Sequence, residues 1–429
     1  MNKKIGIIGM GYVGLPLAVE FSKKMAVIGF DTNEKRINEL KTGNDSNLEV
    51  PERDLVSLKN LFLTSNSKDI GTCDIYIITV PTPIDGLKNP DLSAIKYATE
   101  IVALALKQGD LVIYESTTFP GCTEEFCVPI LEEKSGLKFN VGFYCGYSPE
   151  RINPGDELRK LTDIKKVTSG STPEAAELVD QLYSSIIIAG THKAPSIKVA
   201  ECSKVLENIQ RDVNIGLINE LSLFFKSMEI DTLDVLRAAE TKWNFSSYRP
   251  GLVGGHCIGV DPYYVTFQSK TKNIELGIVT SARLINEKMA DIVADTFVNK
   301  MVRSNINLDK ARVAVMGLTF KENCPDTRNS KVIDLINRLK TWGIHNIFAY
   351  DPFISSSEMK ERYGFDSCEM NIESKFDGVI VAVKHKEYLK INLKELRSFC
   401  GVKKPVLADL KSIFDINDAL KEGFSVYRL

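Results

Sequence analysis

The sequence has no Cys-x-x-Cys pair, no appreciable net charge and no long uninterrupted apolar run. Each absence excludes something. Nine cysteines (Cys73, Cys122, Cys127, Cys145, Cys202, Cys257, Cys324, Cys368 and Cys400) are an odd number without metal-ligand spacing. They argue against a disulfide framework or a zinc site and suit a reducing compartment, and no metal is expected. A net charge of −2, with 26% charged and 44% hydrophobic residues, speaks against a nucleic-acid binder and against disorder. The opening MNKKIGIIGMGYVGLPLAVEF imitates a secretory signal, but four glycines interrupt it and Glu20 ends the apolar run. That run falls short of the roughly 20 residues a membrane span needs, and no other stretch approaches it. A cytoplasmic protein with no membrane or nucleic-acid partner, acting on a small near-neutral or anionic ligand, is expected.

What is present is a nucleotide-type pattern, twice. From Lys4 a short apolar strand breaks at Gly9 and becomes a helix. Gly9, Gly11 and Gly14 form GxGxxG, with Tyr12 and Val13 inside the loop: a tight turn, close approach of a pyrophosphate, and close packing of helix on strand. The next strand, AVIGFD, ends at Asp31, 22 residues beyond Gly9, where a carboxylate accepts both ribose hydroxyls and repels a 2′-phosphate. NAD is therefore favoured over NADP, although Arg36 nearby has the chemistry to take a phosphate, stack on adenine or stay solvated. The strands CDIYIITVPTP and DLVIYEST end in small, hydroxyl or proline residues, so Pro81, Thr82, Pro83, Ser116 and Thr117 are candidates for the cofactor rim, or plain turn residues.

From residue 311 the pattern recurs without the glycine fingerprint: ARVAVMGLTF, the helix NSKVIDLINRLKTWG, NIFAYDP ending its strand at Asp351, then DGVIVAVKH and VLADL. Between the two lie long helical patterns with almost no strand signal. The expected fold is α/β, two Rossmann-like doubly wound parallel-sheet domains joined by a helical connector: 1–194 for NAD, 195–302 for connection and dimerisation, 303–429 for a second nucleotide.

Lys204, Asn208 and Arg211 stand at i, i+4 and i+7, which puts an ammonium, an amide and a guanidinium on one helix face; a solvated face is the plainer alternative. In VGGHCIGVDPYY, Cys257 sits among Gly254, Gly255 and Gly259, which lower steric cover and leave room for a ligand beside the sulfur. It is a candidate nucleophile, or else an inert buried thiol. His256 adjoins it, but neighbouring side chains in extended chain point apart, so a spacer or hydrogen-bonding role is expected. Lys204 would then favour the thiolate, with Asp261 balancing charge or holding a water.

These residues resemble the UDP-glucose/GDP-mannose dehydrogenase family over essentially the whole chain, through GMGYVGLPLA, SPERINPG, AECSKVLENIQRDVNIGLINEL, GGHCIGVDPYY and FKENCPDTRNS in order. The resemblance implies NAD-dependent, two-step oxidation of the C6 alcohol of a UDP-hexose through a thiohemiacetal and a thioester on Cys257. It implies that Lys204 and Asn208 steady oxyanions, that Thr117 and Asp261 handle protons and water, and that Glu150 assists hydrolysis. Phe320 and Lys321 match substrate contacts, Arg328 a contact to NAD, and Arg249 an arginine given by the neighbouring subunit of a homodimer or larger homo-oligomer. Many members carry a second glutamate before the glycine of SPERINPG, where this chain has Pro154. That variant, with QRDVNIGLINEL and TKWNF, is similar to the UDP-N-acetylhexosamine branch, and Arg151 and Arg211 are the residues expected here to read the N-acetyl group or the diphosphate. UDP-N-acetylglucosamine is the expected substrate, for capsule or O-antigen polysaccharide, with the galactosamine or mannosamine epimer as alternative. Two other readings stand beside it: a simple alcohol dehydrogenase with Lys204 as base and Cys257 inert, and a non-catalytic NAD-binding redox sensor.

Overall fold

The computed structural model describes residues 3–56, 58–152, 159–364, 366–367 and 372–429. Pro154, Gly155 and Cys368 lie outside them. The chain divides into two units, Met1–Asn208 with Tyr263–Glu275, and Ile209–Pro262 with Leu276–Leu429.

In the first unit, short isoleucine- and valine-rich runs become strands: β1 (Ile5–Ile8), β2 (Val27–Phe30), β3 (Leu61–Thr64), β4 (Ile75–Ile78), β5 (Asp110–Tyr114), β6 (Phe143–Tyr147), β7 (Lys166–Gly170) and β8 (Thr191–Lys193). Every residue of β1, β2, β4 and β5 is buried, as expected of strands covered on both faces. The order is β3-β2-β1-β4-β5-β6-β7-β8. It reverses between β1 and β4, the switch point at which open sheets bind ligands.

All neighbours run parallel except β6 and β7, where Gly146 pairs with Gly170 and Tyr147 with Ser169. Continued in that register, Lys166 at the start of β7 falls opposite Glu150, just beyond β6. One antiparallel strand thus brings a lysine to the edge where the parallel strands end.

Between β8 and β9 the described residues hold helices and no strand, the longest being Ile197–Ser227 and Gly277–Arg303. In the second unit these two pack closely, for a Cβ on Gly216 would stand 3.0 Å from that of Ala282.

The second sheet contains β9 (Arg312–Met316), β10 (Asn346–Tyr350), β11 (Asp366–Ser367), β12 (Gly378–Val381), β13 (Val406–Asp409) and β14 (Ser425–Tyr427), in the order β11-β10-β9-β12-β13-β14. All of its neighbours are parallel. Alternation along β9 separates two cores: Val313 and Val315 join Met289, Val293 and Phe297 on one face, while Ala314 and Met316 join Phe376, Leu396 and Phe424 on the other. Among the described residues no helix is long and apolar enough to cross a membrane, and no cluster of three or more His, Cys, Asp or Glu is placed to hold a metal.

Candidate active site

The glycine loop of the first unit is built by mutual exclusion of atoms. Gly9 has φ +100°, and a Cβ on Gly14 would lie 1.9 Å from the Gly9 carbonyl oxygen. Only glycine lets the helix Gly14–Ser22 begin that close to the turn. Thr79, just past β4, donates its hydroxyl to the Ile8 and Gly9 carbonyls, tying the loop across the switch point. A Cβ on Gly11, by contrast, would meet nothing within 4 Å. Gly11 faces open space, and Val13 offers the helix N-terminus no side-chain cap. An open backbone beside an uncapped helix start fits a pyrophosphate, and so fits NAD.

Asp31 and Arg36 hold the peptide of Met10 between them. Asp31 accepts the Met10 N–H at 2.8 Å, and Arg36 donates Nε to the Met10 carbonyl at 2.9 Å. The remaining Arg36 bonds go to Asp45, Glu39 and Ser46, and the side chain is buried. In this arrangement Arg36 braces the loop from behind rather than presenting itself to a phosphate. Asp31 is half-buried, and its other oxygen accepts the Asn33 N–H at 2.9 Å.

The strand-end loops after β4 and β5 are stitched together. Thr82 donates to the Thr117 carbonyl at 2.6 Å, Ser116 to the Val80 carbonyl at 2.7 Å, and Tyr264 to the carbonyls of Thr82 and Pro83. Pro81 is exposed on this rim and Thr117 half-buried. Behind them Glu201, fully buried, accepts the N–H groups of Gly121 and Thr123 and the Thr123 hydroxyl. Burial pushes its carboxyl up to about 7 against those donors.

Glu150 belongs to a buried ionic cluster. Lys166, 2% exposed, places Nζ 2.7 Å from Glu115 and 3.3 Å from Glu150, and Tyr183 donates to Glu115. Burial pushes Glu115 up to about 7, with Lys166 pulling the other way. Burial would raise Glu150 too, but the Lys166 ammonium and the N–H groups of Ile152 and Arg151 outweigh it and leave its carboxyl below the ordinary range. An ionised, strongly bonded carboxylate is a better holder of a water than a sink for its proton. Lys204 donates Nζ to the Glu150 carbonyl, and both Lys204 and Asn208 are buried on the long helix, whereas Arg211 is exposed. Arg151 is engaged by Glu207 and the Lys165 carbonyl.

In the second unit Cys257 is exposed, and its carbonyl accepts the N–H groups of Val260 and Asp261, which starts the helix Asp261–Thr271. Asp261 itself is buried. The glycines before the thiol differ from expectation. A Cβ on Gly254 would lie 2.4 Å from the Asn329 carbonyl oxygen, and one on Gly255 (φ +84°) 2.7 Å from the Phe320 ring. Their missing side chains make room for protein, not for a ligand; only Gly259 has ordinary clearance.

His256 turns to Asp326, Nε2 to Oδ2 at 2.9 Å, and the same carboxylate takes a bidentate grip from Arg328. Burial would raise Asp326, yet His256 and Arg328 hold it well below the carboxylate range. Phe320 and Lys321 stand on this 317–330 loop, anchored by the Phe320 N–H to the Asp326 carbonyl at 3.0 Å. Arg249 is held on the surface by Glu240 and Ser247. Lys166, Glu115, Glu201 and Asp326 were not singled out from the sequence, because the partners of the first three, and the His256 that meets Asp326, lie elsewhere along the chain.

Family models match the chain in three consecutive blocks of the UDP-glucose/GDP-mannose dehydrogenase family: the NAD binding domain at residues 3–187, the central domain at 198–288 and the UDP binding domain at 314–416. The chain is 52% identical over 412 residues to the UDP-N-acetyl-D-glucosamine 6-dehydrogenase of Pseudomonas aeruginosa, covering 96% of this chain and 97% of that one. It is 46% identical over 432 residues to Protein CapL of Staphylococcus aureus, with both chains covered in full. The solved UDP-D-ManNAc dehydrogenase of Pyrococcus horikoshii superposes with a TM-score of 0.88 at 29% identity, over 99% and 98% of the two chains. The chain belongs to the UDP-glucose/GDP-mannose dehydrogenase family and is an NAD-dependent UDP-sugar dehydrogenase.

Proposed function

We propose that the substrate is UDP-N-acetylglucosamine and that its C6 alcohol is oxidised to the carboxylate in two steps through a covalent adduct on Cys257. The observation that carries the substrate is the 52% identity over nearly the whole chain to an enzyme named for it. NAD supplies the hydride acceptor for both oxidations. For the residues, the Cys257 thiolate adds to the C6 aldehyde, forming a C–S bond as the carbonyl π pair moves to oxygen. Lys204 and Asn208 steady that oxyanion. Loss of the second hydride leaves a thioester; water then adds to its carbonyl, the C–S bond breaks and the thiolate is restored. Asp261 and Thr117 manage protons, and Glu150, kept ionised by Lys166, orients the water. With Pro154 in place of a second glutamate, that task rests on Glu150.

NAD is held by Gly9, Gly11, Tyr12, Val13, Gly14, Asp31, Pro81, Thr82 and Thr117, with Arg328 as a further contact. Phe320, Lys321, Arg151 and Arg211 serve the UDP-sugar, whereas Gly254, expected beside it, makes room for the Asn329 backbone instead. The division of labour is 1–194, 195–302 and 303–429, close to the blocks matched by the family models. A homodimer or larger homo-oligomer is proposed, with Arg249 given to the neighbouring subunit's site. In its support, Val199, Leu206, Leu217, Phe224 and Met228 form an exposed apolar stripe along and just beyond one helix. Eight free cysteines among the described residues suit the cytoplasm, and the product suits a surface polysaccharide.

The test is NADH production with UDP-glucose and the UDP-N-acetyl derivatives of glucosamine, galactosamine and mannosamine. The glucosamine compound is expected to give the highest kcat/KM, and Cys257→Ser to block acid formation. Preference for an epimer, or undiminished acid from Cys257→Ser, would refute the substrate or the nucleophile respectively.

A further inference from the structure

Eight residues, Gly251 to Ile258, lead up to and carry Cys257, and one buried polar network grips both ends of that segment. At its start Asn219 donates Nδ2 to the Gly251 carbonyl at 3.0 Å and accepts the Gly251 N–H on Oδ1 at 2.8 Å. At its end Arg283 donates Nη1 to the Ile258 carbonyl at 3.3 Å. The two grips are joined. Arg283 Nη1 lies 2.7 Å from Asp212 Oδ1, and Asn286 donates Nδ2 to the Asp212 carboxylate at 2.8 Å and to its carbonyl at 2.9 Å. The Asn286 Oδ1 accepts from Asn219 at 2.8 Å, which closes the chain of bonds.

All four side chains are buried, Arg283 being the most exposed at 3%. A buried ion pair with two buried amides is an inefficient way to hold helices together, since well-packed apolar groups of similar volume do as well or better. What apolar groups cannot do is bond to peptide groups. We propose that Asn219, Asp212, Arg283 and Asn286 are positioning residues that fix the backbone of the Cys257 loop for the covalent step. The inference rests on the nucleophile reading of Cys257 above.

A second set of contacts completes the hold. The Gly255 N–H reaches the Asn329 carbonyl at 3.3 Å, and His256 is bonded to Asp326. The sulfur therefore stands exposed on a backbone fastened before, beside and after it. Such support is what a nucleophile needs, because a displacement of about 1 Å can cost about 100-fold in rate.

The test uses full-length enzyme carrying Asn219→Ala, Arg283→Met or Arg283→Lys. Amide hydrogen exchange across Gly251–Ile258 should quicken by about tenfold or more in the first two variants. The kcat for acid formation should fall about 10- to 100-fold, with the KM for UDP-sugar and the affinity for NAD within about twofold. Arg283→Lys should recover part of kcat. Unchanged exchange and kcat in Asn219→Ala would overturn the proposal, as would equal loss of protection throughout both helices. If Arg283→Met does not fold, Asn219→Ala decides. Cys257→Ser is measured alongside: retained acid formation there defeats the nucleophile reading, whereas a dead Cys257→Ser with normal clamp variants defeats only the clamp.

Discussion

The two sheets share a strand order and differ in the loop that leaves their first strand. β1 runs into Gly9 with φ +100° and β9 into Gly317 with φ +93°. In each, a carboxylate at the end of the next strand takes the N–H of the residue after that glycine: Asp31 from Met10, and Asp351 from Leu318 at 2.7 Å. Beyond this common frame the first unit starts its helix at Gly14, whereas the second delays it to Lys331. The short loop leaves an uncapped helix end and a bare Gly11 for a pyrophosphate. The long loop carries Phe320, Lys321, Asp326 and Arg328, and it holds the Cys257 segment through His256 and Gly255. A frame of this one kind thus opens a loop for a cofactor in one unit and braces the Cys257 segment in the other, according to loop length.

The comparison breaks most visibly at the glycines. Gly14→Val should weaken NAD binding by more than about 100-fold, measured by titration, while UDP binding persists, since the new Cβ strikes the Gly9 carbonyl. Gly317→Val, strained by its φ and only 2.5 Å from Val383, should instead destabilise the protein by about 3 kcal/mol or more in denaturant melts.

The acids come next. Asp351 is buried and joined to His385, whose Nδ1 accepts the Asn323 N–H and whose Nε2 faces Asp351 and Thr319. Asp351→Ala should cost about 3 kcal/mol of stability. Asp31→Ala should cost less stability and show mainly as about tenfold weaker NAD binding.

A smaller effect contrasts two buried acids by pH. Burial raises Glu201 to about 7, so its contribution to stability is full below about pH 4.5 and is lost as pH climbs through about 7. Glu201→Gln should therefore gain on wild type by on the order of 2 kcal/mol between about pH 5 and 8 in thermal melts. Asp351 is the reverse: burial works against its charge, but His385 and the N–H donors keep its carboxyl below the usual range. Its contribution is present at neutral pH and lost as pH falls through that lowered value, so Asp351→Asn should gain on wild type only toward acid. Like pH trends for the two variants would contradict this contrast.

Much of the frame was legible in the sequence because its signals are local. Apolar runs ending at Gly9 or Gly317, helices after them, and acids at Asp31 and Asp351 all lie within a few dozen residues of one another. The site was legible only as single residues. Lys166 meets Glu150 because β7 pairs antiparallel with β6, and Asn219 meets Gly251 because two helices pack across a buried amide pair; neither fact has a periodicity to announce it. Gly254 and Gly255 were visible as glycines, but the atoms that forbid their side chains, on Asn329 and Phe320, come more than sixty residues later. Arg36 shows the same limit: its place beside Asp31 was plain, its bond to the Met10 carbonyl was not.

The covalent relay through Cys257 is tested most directly by counting NADH per UDP-N-acetylglucosamine consumed to completion by wild-type enzyme. Two NADH and a carboxylate product with no free aldehyde are expected. One NADH with an aldehyde left in solution would contradict the relay.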